Sequence, residues 1–404
     1  MTPAPLPNRR RASPTPSAMT GATKGPRLPP PRKATVSDYD ELIAFLNRIF
    51  RIRMDRQYSH IYKRTQKDTS NNIVVVDNGR VVSCVGIFPM TLVCGGVRLT
   101  VGGIGGVSTQ PRYRGRGLMT KLLKKSIAMM QRHNYDISVL WGDRKRYGRF
   151  GWENAGRQYT FAIGRRYVPP EGAADAEIRR FSNSVEDIRE IGRLHQQGEL
   201  RVLRTRKQLQ SVLNRQTYET WTWRKGGAFA YVTVKGETKD RELIEFGGDV
   251  SGLDHLLRFL FEKFGLENLR GTVAVSRSPY VPFILDRSSQ WGVRFIGMVK
   301  ILNLKAVLEK FAPQLEKRCR EMGLTGSLSL EMTDSGQTAS LHFGKRITVG
   351  DRKQRLHLRL SDTEMVRLIF GTLPPSHGLQ LGESFRYLDA LLPLDFYIGR
   401  LDYV

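Results

Sequence analysis

A glycine-rich strand that runs into an amphipathic helix restricts the fold of this chain more than any other feature. The segment 97–109 is rich in strand-forming residues, yet four of its positions (102, 103, 105 and 106) are glycine. The apolar residues of the segment 118–132 follow helical spacing. A strand with so much glycine marks a bulge or the close approach of another group to its backbone. We therefore predict a mixed α/β unit in which this strand has either a bulge or a close approach to its backbone.

The loop that joins the strand to the helix has the pattern R-x-x-G-x-G over residues 112–117. Glycines allow consecutive backbone N–H groups to turn toward an anion, and the helix that follows adds the positive end of its dipole. Arg112, Arg114 and Arg116 surround the same point with cations. No Lys-Ser/Thr pair follows the glycines, so the loop differs from the phosphate loop of NTPases and indicates a pyrophosphate site of another kind. The alternative is a basic loop with turn glycines before an ordinary helix.

Hydrophobic patterning divides the rest of the chain into three units behind a tail. The first 33 residues hold nine of the 19 prolines and no hydrophobic pattern, so we expect a disordered basic tail. Helix and strand patterns follow, restart after about residue 165, and change character in the last hundred residues. The fold class that we expect is α/β, with two mixed α/β domains and an α+β terminal domain. The predicted segments are 1–33, 34–165, 166–300 and 301–404.

Three local predictions describe how individual elements belong to these units. The strand at 158–163 is expected to complete the first α/β unit. A short helix is expected at 385–392, and alternating apolar residues predict a final strand at 396–401. That alternation favours a docked carboxyl terminus over a frayed one.

The chain is strongly basic, with 65 Lys and Arg against 38 Asp and Glu, a net charge of +27. Only seven positive charges lie in residues 1–33, so the folded part is basic as well. Such a surface favours nucleic acid, an anionic membrane or an anionic cofactor as partner. The alternative is that the charge serves only solubility or reflects an arginine-rich proteome.

Neither a membrane span nor a metal site is predicted. No window of about 18 residues is apolar and uncharged, and the seven histidines lack metal-ligand spacing. Cys84, Cys94 and Cys319 are widely spaced and odd in number, which fits neither a disulfide framework nor a zinc site. They indicate a reducing compartment, and we expect a cytoplasmic protein.

Two motifs resemble a known family. Residues 107–118, V-x-T-x-P-x-Y-R-G-R-G-L, resemble the acetyl-coenzyme A motif of the GNAT acyltransferases. Residues 147–152, Y-G-R-F-G-W, resemble a signature of the Eis-type (enhanced intracellular survival) acetyltransferases. The resemblance implies a catalytic GNAT domain, a degenerate GNAT-like domain and a C-terminal domain similar to sterol carrier protein 2. It also implies a possible homo-oligomer, a hexamer in the family.

The resemblance also implies roles for individual residues. Tyr147 matches the family's catalytic tyrosine, and the terminal carboxylate, here that of Val404, would be the catalytic base. Gly142-Asp143 stands where the family commonly has a small hydroxyl residue. The residues that would bind acetyl-CoA, the implied co-substrate, are Val107, Thr109, Arg112, Arg114, Gly115, Arg116 and Gly117.

The implied reaction transfers acetyl from acetyl-CoA to a primary amine of a small molecule or peptide, by direct attack in a ternary complex. It needs a base for the amine, donors for the oxyanion and a proton for the thiolate. An excess of positive charge repels a polycationic amine, so local acids, with Asp402 as a candidate, or a less cationic acceptor are expected. The alternative function is a basic binding protein of GNAT fold, with weak catalysis, that holds nucleic acid or another polyanion.

Overall fold

The protein is described by a computed structural model that covers residues 28–168, 177–237, 239–275, 278–344 and 346–404. Most of the predicted tail, residues 1–27, lies outside this range. The strands are β1 (Arg32–Lys33), β2 (Asn72–Asp77), β3 (Arg80–Cys94), β4 (Val97–Thr109), β5 (Ile137–Leu140), β6 (Glu153–Ala155), β7 (Gln158–Gly164), β8 (Glu177–Arg180), β9 (Leu200–Val202), β10 (Tyr218–Lys225), β11 (Ala228–Glu237), β12 (Asp240–Gly248), β13 (Asn268–Ala274), β14 (Ser288–Arg294), β15 (Gly297–Ile301), β16 (Gly326–Met332), β17 (Gln337–Phe343), β18 (Thr348–Gly350) and β19 (His357–Leu360).

Helices cover the faces of the sheets and fill the connections between strands. They are α1 (Tyr39–Phe50), α2 (Met54–Gln57), α3 (Gln66–Thr69), α4 (Leu118–Arg132), α5 (Arg144–Tyr147), α6 (Val185–Gln197), α7 (Arg206–Leu213), α8 (Val250–Phe264), α9 (Tyr280–Asp286), α10 (Leu304–Met322), α11 (Asp362–Phe370), α12 (Pro375–Gly378) and α13 (Leu388–Leu391). No helix in the described ranges is long and apolar enough to cross a membrane.

The first sheet has the order β1-β2-β3-β4-β5-β15-β6, and β9 pairs with the outer part of β3. Its strands are antiparallel except for β4 and β5, which are parallel and joined by α4. The predicted glycine-rich strand and the helix after it are confirmed with their predicted bounds. One face of α4 is buried against the sheet through Leu118, Leu122, Leu123 and Met130.

The second sheet, β14-β7-β13-β12-β11-β10-β8, repeats this design in the middle of the chain. Here β12 and β13 are the parallel pair, and α8 connects them. A single residue, Asp249, joins β12 to α8 and caps the helix with its carboxylate. The second unit therefore has no counterpart of the arginine-rich loop that precedes α4.

The two sheets exchange strands, which the sequence does not predict. The strand β7, expected in the first unit, pairs with β13 and β14 of the second sheet. In return β15 inserts between β5 and β6 of the first sheet. Local periodicity identifies a strand but carries no information about its partner, so the expected placement of the 158–163 strand was wrong.

The third sheet has the order β18-β17-β16-β19, and α10 packs against it. Apolar residues of α10, including Val307, Phe311 and Leu315, belong to one core with Leu99 and Val101 of β4. The last unit is thus joined to the first by a shared hydrophobic core.

Two predictions at the chain ends differ from the structure. The last residues of the predicted 1–33 tail belong to the first sheet, because Arg32–Lys33 pairs with Val74 and Ile73 as strand β1. The residues 396–401 do not form a strand, and the end of the chain makes only a 3₁₀ turn at Arg400–Asp402. Phe396 and Ile398 are buried, so the apolar alternation reflects an extended segment that packs by its side chains without ladder hydrogen bonds.

The predicted helix at 385–392 is shorter in the structure. A 3₁₀ turn covers Glu383–Phe385, and α13 contributes a single turn at Leu388–Leu391.

Candidate functional site

The strands β4 and β5 diverge at the centre of the first sheet. They pair only where Val101–Gly103 meet Ile137–Val139. Beyond Gly103, β4 continues to Thr109 without β5 beside it, because β5, which pairs with β15 along its whole length, ends at Leu140. The divergence leaves the backbone of β4 from residue 104 onward free of its parallel neighbour.

A cavity of about 610 Å³ lies where β4 ends and α4 begins. Its lining includes five of the seven residues expected to bind the co-substrate: Val107, Thr109, Arg114, Gly115 and Gly117. The end of α1 closes one side with Ile49 and Phe50. The strand, the loop and the helix start therefore form one continuous depression, as the motif predicts.

The loop geometry presents backbone donors to this cavity. Gly115 (φ 76°) and Gly117 (φ 70°) adopt the left-handed conformation that favours glycine. Gly117 precedes the first turn of α4, and no side chain in the described ranges accepts a capping hydrogen bond from that turn. Free N–H groups at the positive end of a helix are suited to a phosphate.

The arginines of the motif divide into two groups. Arg114 lines the cavity, whereas Arg112 and Arg116 each lie 5.2 Å from the ring centre of Tyr113. The cavity receives two further arginines, Arg146 and Arg149, which the sequence analysis did not assign. Both arginines lie in the basic run 144–149 around Tyr147, and this run is the sequence signal that could have indicated them.

Val404 lies on the glycine face of β4. Its Cγ2 is 2.7 Å from the position that a Cβ of Gly103 would occupy, and its carboxyl carbon is 3.0 Å from that of Gly105. Any larger residue at these positions would push the chain terminus away. This explains the close approach that the glycine-rich strand predicts, and it places the terminal carboxylate beside the cavity-lining part of β4.

Buried ionic contacts hold the last residues in place. Arg204, only 3% exposed, donates from Nε and Nη2 to the two oxygens of Asp402 at 2.7 Å each. Its guanidinium also forms a fork with Glu245 at 2.9 and 2.6 Å. Arg204 is shared by two carboxylates, so Arg204, Glu245 and Asp402 together carry one net negative charge. The expectation that Asp402 supplies a local acid for the substrate stays a prediction.

Aromatic packing anchors the residue next to the terminus. The ring of Tyr403 stacks on Trp141 with centroids 3.9 Å apart. Trp141 follows β5 directly and donates from Nε1 to the carbonyl of Ile296. The end of the chain is thus tied to the point where β4 and β5 separate.

Tyr147 ends the short helix α5 and is 7% exposed. Its ring lies edge-on to Trp152, and a Cβ on Gly142 would overlap it. Glycine at 142 is thus required by the position of the tyrosine ring. Burial raises the pKa of Tyr147, partly offset by Arg146, so the phenol keeps its proton at neutral pH. Tyr147 is not among the described residues that line the 610 Å³ cavity.

A second depression of about 770 Å³ lies on the side of Trp141 and Tyr403. Of the described residues that line it, three are arginines (270, 294 and 400) and one is an acid, Glu242. Glu242 is 2.9 Å from Arg400 and is therefore paired. The depression is positively charged next to the carboxyl terminus.

Comparisons with known proteins agree with this geometry. Residues 30–155 match the family model described as the acetyltransferase (GNAT) domain. A search of curated proteins gives no significant match.

Three solved structures have a similar fold. A probable N-acyltransferase from Enterococcus faecalis is 18% identical, with a TM-score of 0.72 over 93% of this chain and 99% of that one. A GCN5-related N-acetyltransferase from Kribbella flavida is also 18% identical, with a TM-score of 0.68 and the same coverage. Eis1 from Mycobacterium abscessus is 11% identical, with a TM-score of 0.63 over 91% of this chain and 99% of that one. The expected α/β fold class is confirmed, and the match at residues 30–155 identifies that part of the chain as a GNAT domain and the protein as an acetyltransferase.

Proposed function

We propose that the protein transfers the acetyl group of acetyl-CoA to a primary amine by direct attack within a ternary complex. One observation carries the proposal. The cavity suited to a pyrophosphate begins at Val107 of β4, and the terminal carboxyl group lies on Gly105 of the same strand. A thioester held along β4 by its diphosphate end would thus reach a base.

The residues around the cavity fit acetyl-CoA. Arg114 and the N–H groups at Gly115 and Gly117 would hold the pyrophosphate, and the backbone of Val107 and Thr109 would face the pantetheine arm. Arg112 and Arg116, which flank Tyr113, would add positive potential from outside the cavity. Acetyl-CoA supplies the activated acyl group when bound.

The proposed reaction needs two protein groups. The carboxylate of Val404 takes a proton from the ammonium form of the acceptor, and the free amine nitrogen then bonds to the carbonyl carbon. The second proton that this nitrogen loses as the amide forms replaces the one that Tyr147 gives up. The carbonyl electrons move to oxygen, and their return breaks the carbon–sulfur bond. Tyr147 gives its proton to the departing thiolate, a role that a protonated phenol can fill.

The positive depression beside Tyr403 supports an acceptor that is not a polycation. Because Glu242 is the acid among the described residues that line this depression and is paired with Arg400, the lining offers no uncompensated negative charge to several ammonium groups. A small-molecule or peptide amine with one ammonium group fits this surface better.

We further propose an Eis-type organisation, with the C-terminal unit similar to sterol carrier protein 2 and a homo-oligomer, a hexamer by resemblance. The three-sheet fold and the similarity to Eis1 of M. abscessus support the organisation. The three cysteines are free and buried in the structure, which supports a reducing, cytoplasmic location. We propose that neither a metal nor nucleic acid takes part, and the described residues contain no cluster suited to a metal.

The proposal is tested by thiol release from acetyl-CoA with a panel of primary amines. We expect amine-dependent release, with monocationic amines preferred over polyamines. Adding one residue after Val404 should lower kcat, because it moves the carboxylate away from Gly105. No release with any amine, together with salt-sensitive DNA binding, would favour the polyanion-binding alternative instead.

A further inference from the structure

Tyr62, in the segment between α2 and α3, has a buried hydroxyl group without a partner. The residue is 4% exposed, and its Oη has no hydrogen-bond partner among the described residues. Buried polar atoms are nearly always hydrogen-bonded, so an orphaned hydroxyl in a folded protein requires an explanation.

The hydroxyl lies against an irregular point of β4. Cys84 pairs with Ser108 and Gly86 with Gly105, so Gly106 and Val107 form a bulge that has no direct partner on β3. Tyr62 Oη is 2.7 Å from the position that a Cβ of Gly106 would occupy. Gly106 has φ 61°, and both its conformation and its missing side chain give the phenol access to the strand.

The same face of β4 carries the terminal carboxyl group. Val404 and the Phe88 ring both lie next to Gly105. The rings of Phe88 and Tyr62 are nearly perpendicular, and their centroids are 5.3 Å apart. Tyr62, Phe88 and Val404 belong to one packed cluster. The phenol therefore lies against Gly106, one residue before Val107, where the co-substrate cavity begins, and, like Tyr147, it is not among the described residues that line that cavity.

We propose that Tyr62 is a further catalytic residue, whose O–H donates a hydrogen bond to the carbonyl oxygen of the acetyl group. This inference rests on the proposed acetyl transfer. When the amine nitrogen bonds to the carbonyl carbon, the electron pair of the C=O bond moves to oxygen. The phenol keeps its proton and stabilises that oxygen until the C–O double bond re-forms and the carbon–sulfur bond breaks.

The surroundings of the hydroxyl suit a donor and not a proton source. Burial raises the pKa of Tyr62 well above its usual value, with smaller contributions from Cys84 and Tyr58. The group thus stays protonated throughout the working pH range of an enzyme. Tyr147, which packs in a different hydrophobic cluster, is left as the source of the proton for the thiolate.

The test is Tyr62→Phe, which removes one buried oxygen atom and leaves the packing of the ring intact. We expect kcat to fall by about 100-fold or more, the loss typical of one oxyanion donor. The Kd of acetyl-CoA should change less than twofold, and Tm should stay equal or rise because an unpartnered hydroxyl is lost. The matched control is Tyr135→Phe, a half-buried tyrosine against Gly102 on the opposite face of β4, which should keep wild-type kcat.

Two outcomes overturn the inference and are distinguishable. Wild-type kcat in Tyr62→Phe, with amine-dependent turnover in the wild type, would leave the acetyltransferase proposal standing and assign the phenol a packing role. No turnover of the wild type with any amine would refute the proposed function and this inference with it.

Discussion

At the scale of single residues, space is the main constraint on the candidate site. Gly103, Gly105 and Gly142 each lie where a Cβ would overlap or crowd a group assigned to catalysis. The glycine pattern of β4 is consistent with such a close approach, but it does not identify Val404 as the residue that packs there. The motif predicted the anion loop from residue types alone, whereas Arg146 and Arg149 reach the cavity through folding from a separate basic segment of the chain.

Gly142→Ala should lower kcat through the position of Tyr147. The new methyl group would overlap the tyrosine ring, which must move. A displacement of about 1 Å can cost about 100-fold in rate, so we expect a loss of about 10- to 100-fold in kcat with little change in acetyl-CoA affinity. Steady-state kinetics and a binding titration measure the two effects.

Gly148→Ala is the matched control for that variant. It lies in the turn after α5, and a Cβ there meets nothing within 4 Å. Its kinetics should match the wild type. Wild-type kcat in Gly142→Ala would contradict the role assigned to Tyr147.

At the scale of elements, the chain terminus is held in place by side-chain contacts and not by strand pairing. The predicted strand 396–401 failed because alternation of apolar residues occurs in any extended segment that packs on a core. In contrast, β4 and α4 were predicted with their bounds, because both have long, regular patterns. The exchange of β7 and β15 between sheets was unpredictable, since strand pairing depends on contacts distant in sequence.

Arg204→Met tests whether the buried ionic anchor holds the terminus. Without the guanidinium, the carboxylates of Glu245 and Asp402 remain buried and uncompensated. We expect the free energy of unfolding to fall by about 3–5 kcal/mol, the usual cost of breaking a buried ion pair. Because Val404 is two residues from Asp402, kcat should fall as well in the folded fraction.

Urea unfolding and thiol release measure these two effects. Arg386→Met, which breaks an exposed pair with Glu383, serves as the control and should cost at most about 1 kcal/mol. Equal stability losses in the two variants would argue against the anchor.

At the scale of the whole molecule, two histidines near the C-terminal anchor make stability depend on pH. Burial lowers the pKa of His60 well below 6.5, with Arg215 and Arg204 adding to the effect, and burial likewise lowers the pKa of His195. Both histidines therefore bind protons near pH 6.5 in the unfolded chain but stay neutral at that pH in the folded chain. The contribution of the neutral histidines to the free energy of unfolding is complete above pH 6.5 and is lost as the pH falls below it.

We expect the free energy of unfolding to decrease from pH 7.5 to 5.5, by up to about 1.4 kcal/mol per pH unit for each histidine. Urea titrations at several pH values measure it. His60→Gln should flatten the decrease, whereas His133→Gln, at an exposed position after α4, should leave it unchanged. Stability that is constant or rises toward pH 5.5 would contradict the assignment.

The central claim is that the loop 112–117 with the start of α4 binds the diphosphate of acetyl-CoA, and calorimetric titration of the purified protein tests it most directly. The account predicts saturable binding of acetyl-CoA that weakens with added salt, at least about tenfold weaker binding by Arg114→Gln, and wild-type affinity in Arg386→Gln. Absence of binding by the wild type, or equal affinity in Arg114→Gln, would contradict it.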